Sequence, residues 1–220
     1  MKRIYPGLAG LILLLAFFAS SCSTSRGELL FGDDFSKAIY DEGSWEIKDE
    51  VLVAYEDKVL WATGEFENFE LSFEFMNEAG TNSGIIIYCT DKENWIPNSV
   101  EVQIADDHSE KWGESRLDYQ CGAIFGHLPA NEQKVVNPPG EWNSMKLSCK
   151  GQILEVELNG KKVNTMDMAL WTSGTVNPDG SEIPSWLPTP FAELPTKGFI
   201  GFQGKHGDSS ISFRNVRISQ

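Results

Sequence analysis

Short runs in which apolar and polar residues alternate recur along this chain of 220 residues. In residues 69–75, Phe or Leu occupies every second position, and Glu or Ser stands between them. Residues 100–104 repeat the pattern as Val-Glu-Val-Gln-Ile. Since successive side chains of a β-strand point to opposite faces, each run predicts a strand with one apolar face. About a dozen such runs, with turn residues between them and no convincing long helix, predict an all-β, two-sheet antiparallel β-sandwich.

Three local patterns refine this prediction. Residues 84–89 are apolar on both faces, which is typical of a central strand. Residues 122–126 (Gly-Ala-Ile-Phe-Gly) predict a further strand. Asn159 and Gly160, between two alternating runs, predict a tight hairpin turn.

The first residues have the composition of an export signal. Lys2 and Arg3 precede an apolar run over 8–19, and small residues then lead to Cys22. A positive head, an apolar middle and small residues before a cut are typical of a secretory signal, here too short to span a bilayer comfortably. A cysteine directly after the small residues resembles the box of bacterial lipoproteins, in which that cysteine carries the lipid.

These features predict the domain organisation and the location of the protein. We expect a lipoprotein signal peptide over 1–21, a lipidated tether over 22–28 and a single β-sandwich domain over 29–220. The protein would then be lipid-anchored in the bacterial cell envelope, on the periplasmic or the outer-surface side. The alternative is a cleaved signal on a soluble exported protein.

Charge excludes some partners. The formal net charge is −14 at pH 7. Affinity for polyphosphates comes from Lys and Arg, so we expect no nucleic-acid partner. Anionic lipid would also repel this chain, so the lipid itself must hold it at the membrane. A neutral sugar or a cation fits the charge better.

Three cysteines remain besides Cys22, namely Cys89, Cys121 and Cys149. An exported protein can form disulfides, but an odd number leaves at least one thiol free. Either Cys89 pairs with Cys121, or the cysteines are buried free thiols that pack as small apolar side chains. No spacing of Cys and His predicts a zinc site.

The strand over 100–104 places Glu101 and Gln103 on its polar face, and Asp106 and Asp107 follow where the strand ends. One interpretation is a half-solvated edge strand. The other is the floor of a polar cleft in which Glu101 acts as a base or as a ligand.

A long segment over 166–197 interrupts the strand pattern and contains Trp171, Trp186 and five prolines. Loops of this length tend to be functional lids or rims. A stiffly held tryptophan offers the flat apolar face on which a sugar ring stacks. The two tryptophans either form a cleft wall of this kind or only pack the segment onto the sheet.

An ordered set of short motifs resembles one known family over nearly all of the chain after the leader. The motifs are Gly-Ser-Trp-Glu-Ile-Lys-Asp (43–49), Asn-Phe-Glu-Leu (68–71), Asn-Ser-Gly-Ile (82–85), Glu-Val-Gln-Ile-x-Asp (101–106), Gly-Ala-Ile-Phe-Gly (122–126), Gly-Glu-Trp-Asn (140–143), Leu-Asn-Gly (158–160), Gly-Phe-Gln-Gly-Lys-His-Gly (201–207) and Phe-Arg-Asn-Val-Arg-Ile (213–218). By these motifs, the chain is identified as a member of the 3-keto-disaccharide hydrolase domain family. That family has a fold similar to the concanavalin A-type jelly roll of lectins and glucanases.

The resemblance implies cleavage of glycosides that are already oxidised at C3 of the sugar. A ketone at C3 acidifies the hydrogen on C2, so a carboxylate can remove it, the C1 substituent leaves, and water then adds. The resemblance also implies a partner oxidoreductase that produces the keto sugar. The resemblance implies no cofactor apart from the divalent cation considered below.

The same resemblance assigns roles to individual residues. Glu101 is the expected base, or otherwise a metal ligand. Lys205 and His206 are expected to stabilise the enolate and deliver a proton, with His127 as a third candidate for this role. A divalent cation held by Glu101 and Asp106 remains an open alternative. The residues expected to contact the substrate are Asn82, Gln103, Asp106, His127, Trp171, Trp186 and Gln203.

Two other functions are compatible with the same sandwich. The first is a non-catalytic glycan-binding module of a surface glycan-utilisation system, with Trp171 and Trp186 as stacking platforms. The second is a conventional retaining glucanase, which needs paired carboxylates on one strand face. Gln103 and Ala105 follow Glu101 on that face, so the sequence disfavours the glucanase.

Overall fold

The alternating runs fold as antiparallel strands in a computed structural model that describes residues 27–220. The strands are β1 (Glu28–Leu29), β2 (Ala38–Ile39), β3 (Trp45–Lys48), β4 (Val51–Ala54), β5 (Leu60–Phe66), β6 (Phe69–Asn77), β7 (Asn82–Cys89), β8 (Val100–Ala105), β9 (Trp142–Lys150), β10 (Ile153–Leu158), β11 (Lys161–Asp167), β12 (Gly198–Phe202) and β13 (Ile211–Ser219). The helical elements are one α-helical turn, α1 (Glu110–Gly113), and the 3-10 turns Ile96–Asn98, Leu117–Tyr119, Met168–Leu170 and Phe191–Glu193. The predicted all-β class is confirmed.

The strands form two sheets. The larger sheet has the order β11-β10-β9-β6-β13-β4-β3, and β1 pairs with β13 beside this path. The smaller sheet has the order β2-β5-β12-β7-β8. Sequence neighbours such as β5 and β6 lie in different sheets, so the chain crosses repeatedly between the two layers, as in other jelly-roll sandwiches.

The core lies between the two sheets and is rich in aromatic residues. The apolar residues of β6, among them Phe69 and Phe73, are buried as the alternation predicts. The ring of Phe73 in the larger sheet meets the ring of Phe202 in the smaller sheet edge to face, with centroids 5.2 Å apart. Phe213 on β13 packs against both rings. These contacts fix how the two sheets lie on each other.

The hairpin predicted at Asn159 and Gly160 joins β10 and β11. Both residues have positive φ, 49° and 76°. This is the backbone that a two-residue type I′ turn needs, and Asn-Gly adopts it at little cost. The hairpin prediction is confirmed.

The prediction of a strand over 122–126 is wrong. This segment runs along the free edge of β8, where the backbone amide of Phe125 donates to the carbonyl of Glu101 at 2.9 Å. Only Ile124 forms isolated β-bridges there. Gly122 and Gly126 adopt φ of 83° and 70°, so the backbone turns at both ends instead of extending.

Cys89, Cys121 and Cys149 are free and buried, so the pairing of Cys89 with Cys121 is absent. Burial raises the pKa of Cys89 to about 11, which keeps it a thiol. Glu28, which the sequence assigned to the tether, begins β1 and pairs with Ile218. The predicted signal peptide and Cys22 lie outside the described residues.

Within residues 27–220, no helix is long and apolar enough to cross a membrane.

Candidate functional site

Some of the predicted site residues, Glu101 among them, lie on the face of the smaller sheet that points away from the core, called here the outer face. Val100, Val102 and Ile104 of β8 are buried in the core between the sheets. Glu101 and Gln103, at the alternate positions, therefore point to the outer face. This confirms the two-faced strand predicted from the sequence.

Strand register places four residues in one row across the outer face. Trp61 of β5 pairs with Gly201 of β12, Gly201 pairs with Ile86 of β7, and Ile86 pairs with Glu101 of β8. Adjacent strands are about 4.8 Å apart, so the Cα atoms of Trp61 and Glu101 are separated by about 14 Å. The row thus places an aromatic residue of β5 and a carboxylate residue of β8 on the same face of the smaller sheet.

Gly84 makes room for the carboxylate of Glu101. A Cβ built on Gly84 would overlap with Oε1 of Glu101 and lie only 2.8 Å from its Cγ and 2.9 Å from its Cδ. The Glu101 side chain therefore folds over the β7 backbone at Gly84. Any larger residue at position 84 would have to displace it.

The Glu101 carboxylate is poorly solvated. It is half-buried, lies on the strand next to Ile86, and receives no hydrogen bond from any residue in 27–220. Burial without a compensating donor disfavours the charged form and raises the pKa of Glu101 to about 8. Once ionised, such a carboxylate is a stronger base than an ordinary Glu, although at neutral pH most molecules hold it protonated.

Three predicted site residues with amide side chains lie on β7, on β8 and directly after β12. Gln103, which pairs with Gly84, donates from Nε2 to Oδ1 of Asn82 at 2.7 Å. Gln203 follows β12, and its backbone amide donates to the carbonyl of Gly84 at 2.9 Å. Gln103 and Gln203 are buried and Asn82 is partly exposed. Glu101, Asn82, Gln103 and Gln203 thus lie on neighbouring parts of the smaller sheet, and their roles toward a substrate stay predictions.

Lys205 and His206 lie on the loop after β12. The amide of Lys205 donates to the carbonyl of Glu56 at 2.9 Å, which joins this loop to the one before β5. Nδ1 of His206 lies 2.8 Å from Oδ2 of Asp57, and both side chains are exposed. His206 is thus oriented by a carboxylate while remaining open to solvent.

Asp106 does not share a cation with Glu101. Its Oδ2 accepts the amide of Gly80 at 2.8 Å and its Oδ1 accepts the amide of His108 at 3.1 Å, so both oxygens fasten the backbone. Five residues of extended strand also separate Asp106 from Glu101 by about 16 Å. The expectations of a cation between these two residues, and of Asp106 as a substrate contact, are corrected accordingly.

Across residues 27–220, no group of three or more His, Cys, Asp or Glu side chains is arranged to hold a metal ion.

His127 is buried beneath the long segment instead of lining the row. Its ring stacks on Phe191 with centroids 3.8 Å apart, and Nδ1 lies 2.8 Å from the carbonyl oxygen of Phe125. Because a carbonyl only accepts, Nδ1 carries the proton, and Nε2 has no partner within the described part of the chain. Burial lowers the pKa of His127 to about 4 and keeps the ring neutral.

The two tryptophans of the long segment differ. Trp171 is buried in the core, and its Nε1 donates to Oδ1 of Asn177 at 2.9 Å. A ring in this position cannot stack on a sugar, so its predicted role as a platform is corrected to packing. Trp186 is 53% exposed, and its role in sugar binding stays a prediction.

The outer face also carries an apolar cluster that was not predicted from the sequence, called here the outer-face cluster. It consists of Trp61, Ile86 and Cys89, with Val59, Trp95 and Phe199 packed against them. The signal was present, because Trp61 stands between the core residues Leu60 and Ala62 and so had to point outward. Trp61, Ile86 and Cys89 are themselves buried, whereas Val59, Trp95 and Phe199 are partly exposed.

A β-sandwich that carries a poorly solvated carboxylate beside amide and aromatic residues on the outer face of one sheet is compatible with a protein that acts on carbohydrates. The comparisons agree with this class. The model of the 3-keto-alpha-glucoside-1,2-lyase-like domain matches residues 28–219. The chain belongs to this family, and the resemblance drawn from its motifs is confirmed.

Individual relatives extend the comparison. A 3-keto-disaccharide hydrolase of Bacteroides thetaiotaomicron is 29% identical over 177 residues, which cover 70% of this chain and 58% of that protein. The present chain therefore spans little more than half the length of this relative. A crystal structure from Parabacteroides distasonis, provisionally named a glycosyl hydrolase, is 60% identical with a TM-score of 0.87. That match covers 88% of this chain and 98% of the other.

The fold is also shared with a protein of different name. The carbohydrate-binding module CBM66 of Bacillus subtilis is 12% identical with a TM-score of 0.53, covering 84% of this chain and 96% of the module. This likeness concerns the fold alone. It agrees with the predicted jelly-roll architecture.

Proposed function

We propose that this protein cleaves glycosides oxidised at C3 of the sugar, with Glu101 as the base that removes the proton from C2. The observation that carries the proposal is the half-buried carboxylate of Glu101, which receives no hydrogen bond within residues 27–220 and whose pKa burial raises to about 8. A base of this strength suits a carbon acid that a neighbouring ketone has activated. The family match and the name of the Bacteroides relative support the substrate class.

The reaction proceeds by elimination and then hydration. Glu101 takes the C2 proton, and the electron pair of the C–H bond moves into the C3 carbonyl to give an enolate. The enolate then forms a C1–C2 double bond and expels the C1 oxygen, which receives a proton as it leaves. Water adds to C1, and C2 regains a proton, so the net result is hydrolysis to the 3-keto sugar and the free leaving group.

Other residues of the outer face supply the remaining functions. Lys205 and His206 stabilise the enolate oxygen and protonate the leaving oxygen, since each carries a donor on the loop beside the row. The partly exposed Asn82 binds sugar hydroxyls through its amide group, and the buried Gln103 holds the Asn82 side chain by a hydrogen bond. A partner oxidoreductase must supply the keto sugar, because nothing in this mechanism oxidises C3.

The test uses a 3-keto glucoside with a chromogenic leaving group, beside the unoxidised glucoside. Release from the keto glucoside only is expected, and Glu101→Gln should lose about 10²- to 10⁴-fold in rate, the usual contribution of a general base. Glu65→Gln is the matched control, because Glu65 is an exposed residue of β5 in the same sheet. Unchanged release by Glu101→Gln, or release from the unoxidised glucoside, would contradict the proposal.

A second outcome of this experiment would favour the binding module. Wild-type protein that releases nothing from the keto glucoside but binds intact glycans in calorimetry would have a non-catalytic role. The fold itself is compatible with both functions.

We also propose that the protein acts at the bacterial cell envelope, held by a lipid on Cys22. The proposal is supported by the sequence before this cysteine, in which positively charged residues are followed by an apolar run and then by small residues. An oxidised sugar made in the same compartment would then reach Glu101 without crossing a membrane.

A further inference from the structure

We propose that Asn82 is a further catalytic residue, whose Nδ2 donates a hydrogen bond to the C3 oxygen of the keto sugar, and that Gln103 is the positioning residue that sets this direction. The inference rests on the proposed function, since it concerns the oxygen on which the enolate charge forms. Asn82 begins β7, and Gln103 lies on the neighbouring β8. This role is more specific than a contact with a sugar hydroxyl.

The strand geometry places Asn82 close to the base. Asn82 and Gly84 are two positions apart on β7, so their side-chain positions lie on the same outer face, about 7 Å from each other. The carboxylate of Glu101 occupies the space in which a Cβ of Gly84 would stand. Asn82 and this carboxylate are therefore neighbours along β7, and both residues are partly exposed.

This spacing suits a keto sugar held between the two groups. The base must reach the hydrogen on C2, and the C3 oxygen is bonded to the next carbon of the ring. The base and the donor to that oxygen must therefore stand at either end of a short H–C2–C3–O unit. With a contact of about 3 Å at each end, the unit fits between groups about 7 Å apart.

The hydrogen bond from Gln103 decides which atom Asn82 presents to the sugar. Nε2 of Gln103 donates to Oδ1 of Asn82 at 2.7 Å, which engages the oxygen of the amide. Gln103 is only 1% exposed, so its own side chain has little freedom. No residue in 27–220 accepts a hydrogen bond from Nδ2 of Asn82, which remains available to the substrate. An amide nitrogen only donates, and a ketone or enolate oxygen only accepts, so the two are complementary.

A donor fixed in this way favours the transition state over the ground state. The C3 oxygen carries a partial charge in the ketone and a negative charge in the enolate, so the hydrogen bond strengthens as the C2 proton leaves. Asn82 stands on a strand of the sheet and is already oriented before the sugar binds, which limits the cost of reorganisation. It adds a donor beside the base to those of Lys205 and His206.

The kinetic test separates this role from plain sugar binding. Asn82→Ala should lower kcat on a 3-keto glucoside about 10²- to 10³-fold with little change in KM, as for the loss of an oxyanion donor. Asn94→Ala is the matched control, because Asn94 is an exposed asparagine between β7 and β8. A raised KM at unchanged kcat for Asn82→Ala would overturn the proposal and leave Asn82 as a hydroxyl contact.

Gln103→Glu tests the positioning role. A carboxylate only accepts, so it would turn Nδ2 of Asn82 toward itself and present Oδ1 to the sugar. At the high-pH plateau, kcat should fall about as far as in Asn82→Ala. The double variant Asn82→Ala, Gln103→Glu should be no slower than Asn82→Ala alone, because Gln103 acts through Asn82. Losses that simply add would contradict this coupling and overturn the positioning role.

A spectroscopic measurement tests Asn82 without turnover. The probe is methyl 3-keto glucoside with a labelled C3 carbonyl carbon, bound to Glu101→Gln. Its NMR signal should lie downfield of the signal in the double variant Asn82→Ala, Glu101→Gln, because a hydrogen bond to a carbonyl deshields its carbon. Equal shifts in the two variants would overturn Asn82 as the donor. Failure of the proposed function appears separately, as a lack of release by wild-type protein.

Discussion

At the scale of the residue, the chemistry depends on the environment of Glu101. An apolar neighbour and the absence of donors raise its pKa to about 8, so at neutral pH most molecules hold the carboxyl group protonated. Only the ionised form can accept the C2 proton. We therefore expect kcat/KM on a 3-keto glucoside to rise with pH and level off above an apparent pKa near 8. A rate that is already constant above pH 5 would show that an ordinary carboxylate, and not this one, is the base.

Gly84 controls the position of that carboxylate. Its φ is not in the left-handed region, so Gly84→Ala introduces no backbone strain but places a methyl group where the Glu101 side chain lies. We expect the displaced carboxylate to be better solvated, with a lower pKa and a kcat reduced about tenfold or more, as for a misplaced catalytic group. NMR titration of the Glu101 carboxyl carbon and the pH profile report the two effects.

Gly64→Ala is the control for this substitution, because a Cβ at Gly64 meets nothing closer than 3.4 Å. Its pH profile and the Glu101 titration should match those of wild-type protein. If Gly84→Ala leaves both unchanged, the carboxylate is not held where the geometry places it.

At the scale of the element, the strands were predictable and the irregular segments were not. Alternation identified β6 and β8 because one face of each packs on the core, and the period of two repeats in the sequence. The same alternation predicted that Glu101 and Gln103 point to the face opposite the core residues of β8. Residues 122–126 looked like a strand from composition alone, but positive φ at Gly122 depends on tertiary packing beside Val163. Composition does not reveal that contact.

The long segment shows the same limit for side chains. Trp171 and Trp186 both suit a sugar platform by residue type, yet only the fold shows that Trp171 is buried in the core. Trp61 lies on the outer face with Ile86 and Cys89, and these neighbours come from other strands of the smaller sheet. Which residues of different strands meet in a row depends on register, and a single sequence does not give register across a jelly roll.

Trp171 gives a test at this scale. Trp171→Ala should lower the free energy of unfolding by about 3–5 kcal/mol, the usual cost of removing a large buried ring. Sugar affinity of the folded variant should be unchanged. Urea denaturation and calorimetry measure the two quantities. A variant of normal stability that binds sugar more weakly would restore Trp171 to the binding surface.

At the scale of the whole molecule, the acidic surface and the proposed lipid have separate roles. A net charge of −14 gives no electrostatic attraction to anionic membranes, so under the proposed lipidation the lipid on Cys22 alone supplies the membrane association. Cys22→Ser should therefore move the protein from the membrane fraction to the soluble fraction, as followed by immunoblot. The variant should keep its activity, because the outer face lies far along the chain from the anchor. Membrane retention of Cys22→Ser would contradict lipidation at this residue.

The central claim is that the glycosidic bond breaks after the C2 proton is removed, and its most direct measurement is cleavage in D₂O. At early times the released 3-keto sugar should carry one deuterium at C2 for each bond cleaved, well above the spontaneous exchange in a sample without protein. Glu101→Gln should produce neither the cleavage nor the label. A released sugar that keeps its original C2 hydrogen would show that the bond is hydrolysed directly, and the role of Glu101 as the C2 base would be wrong.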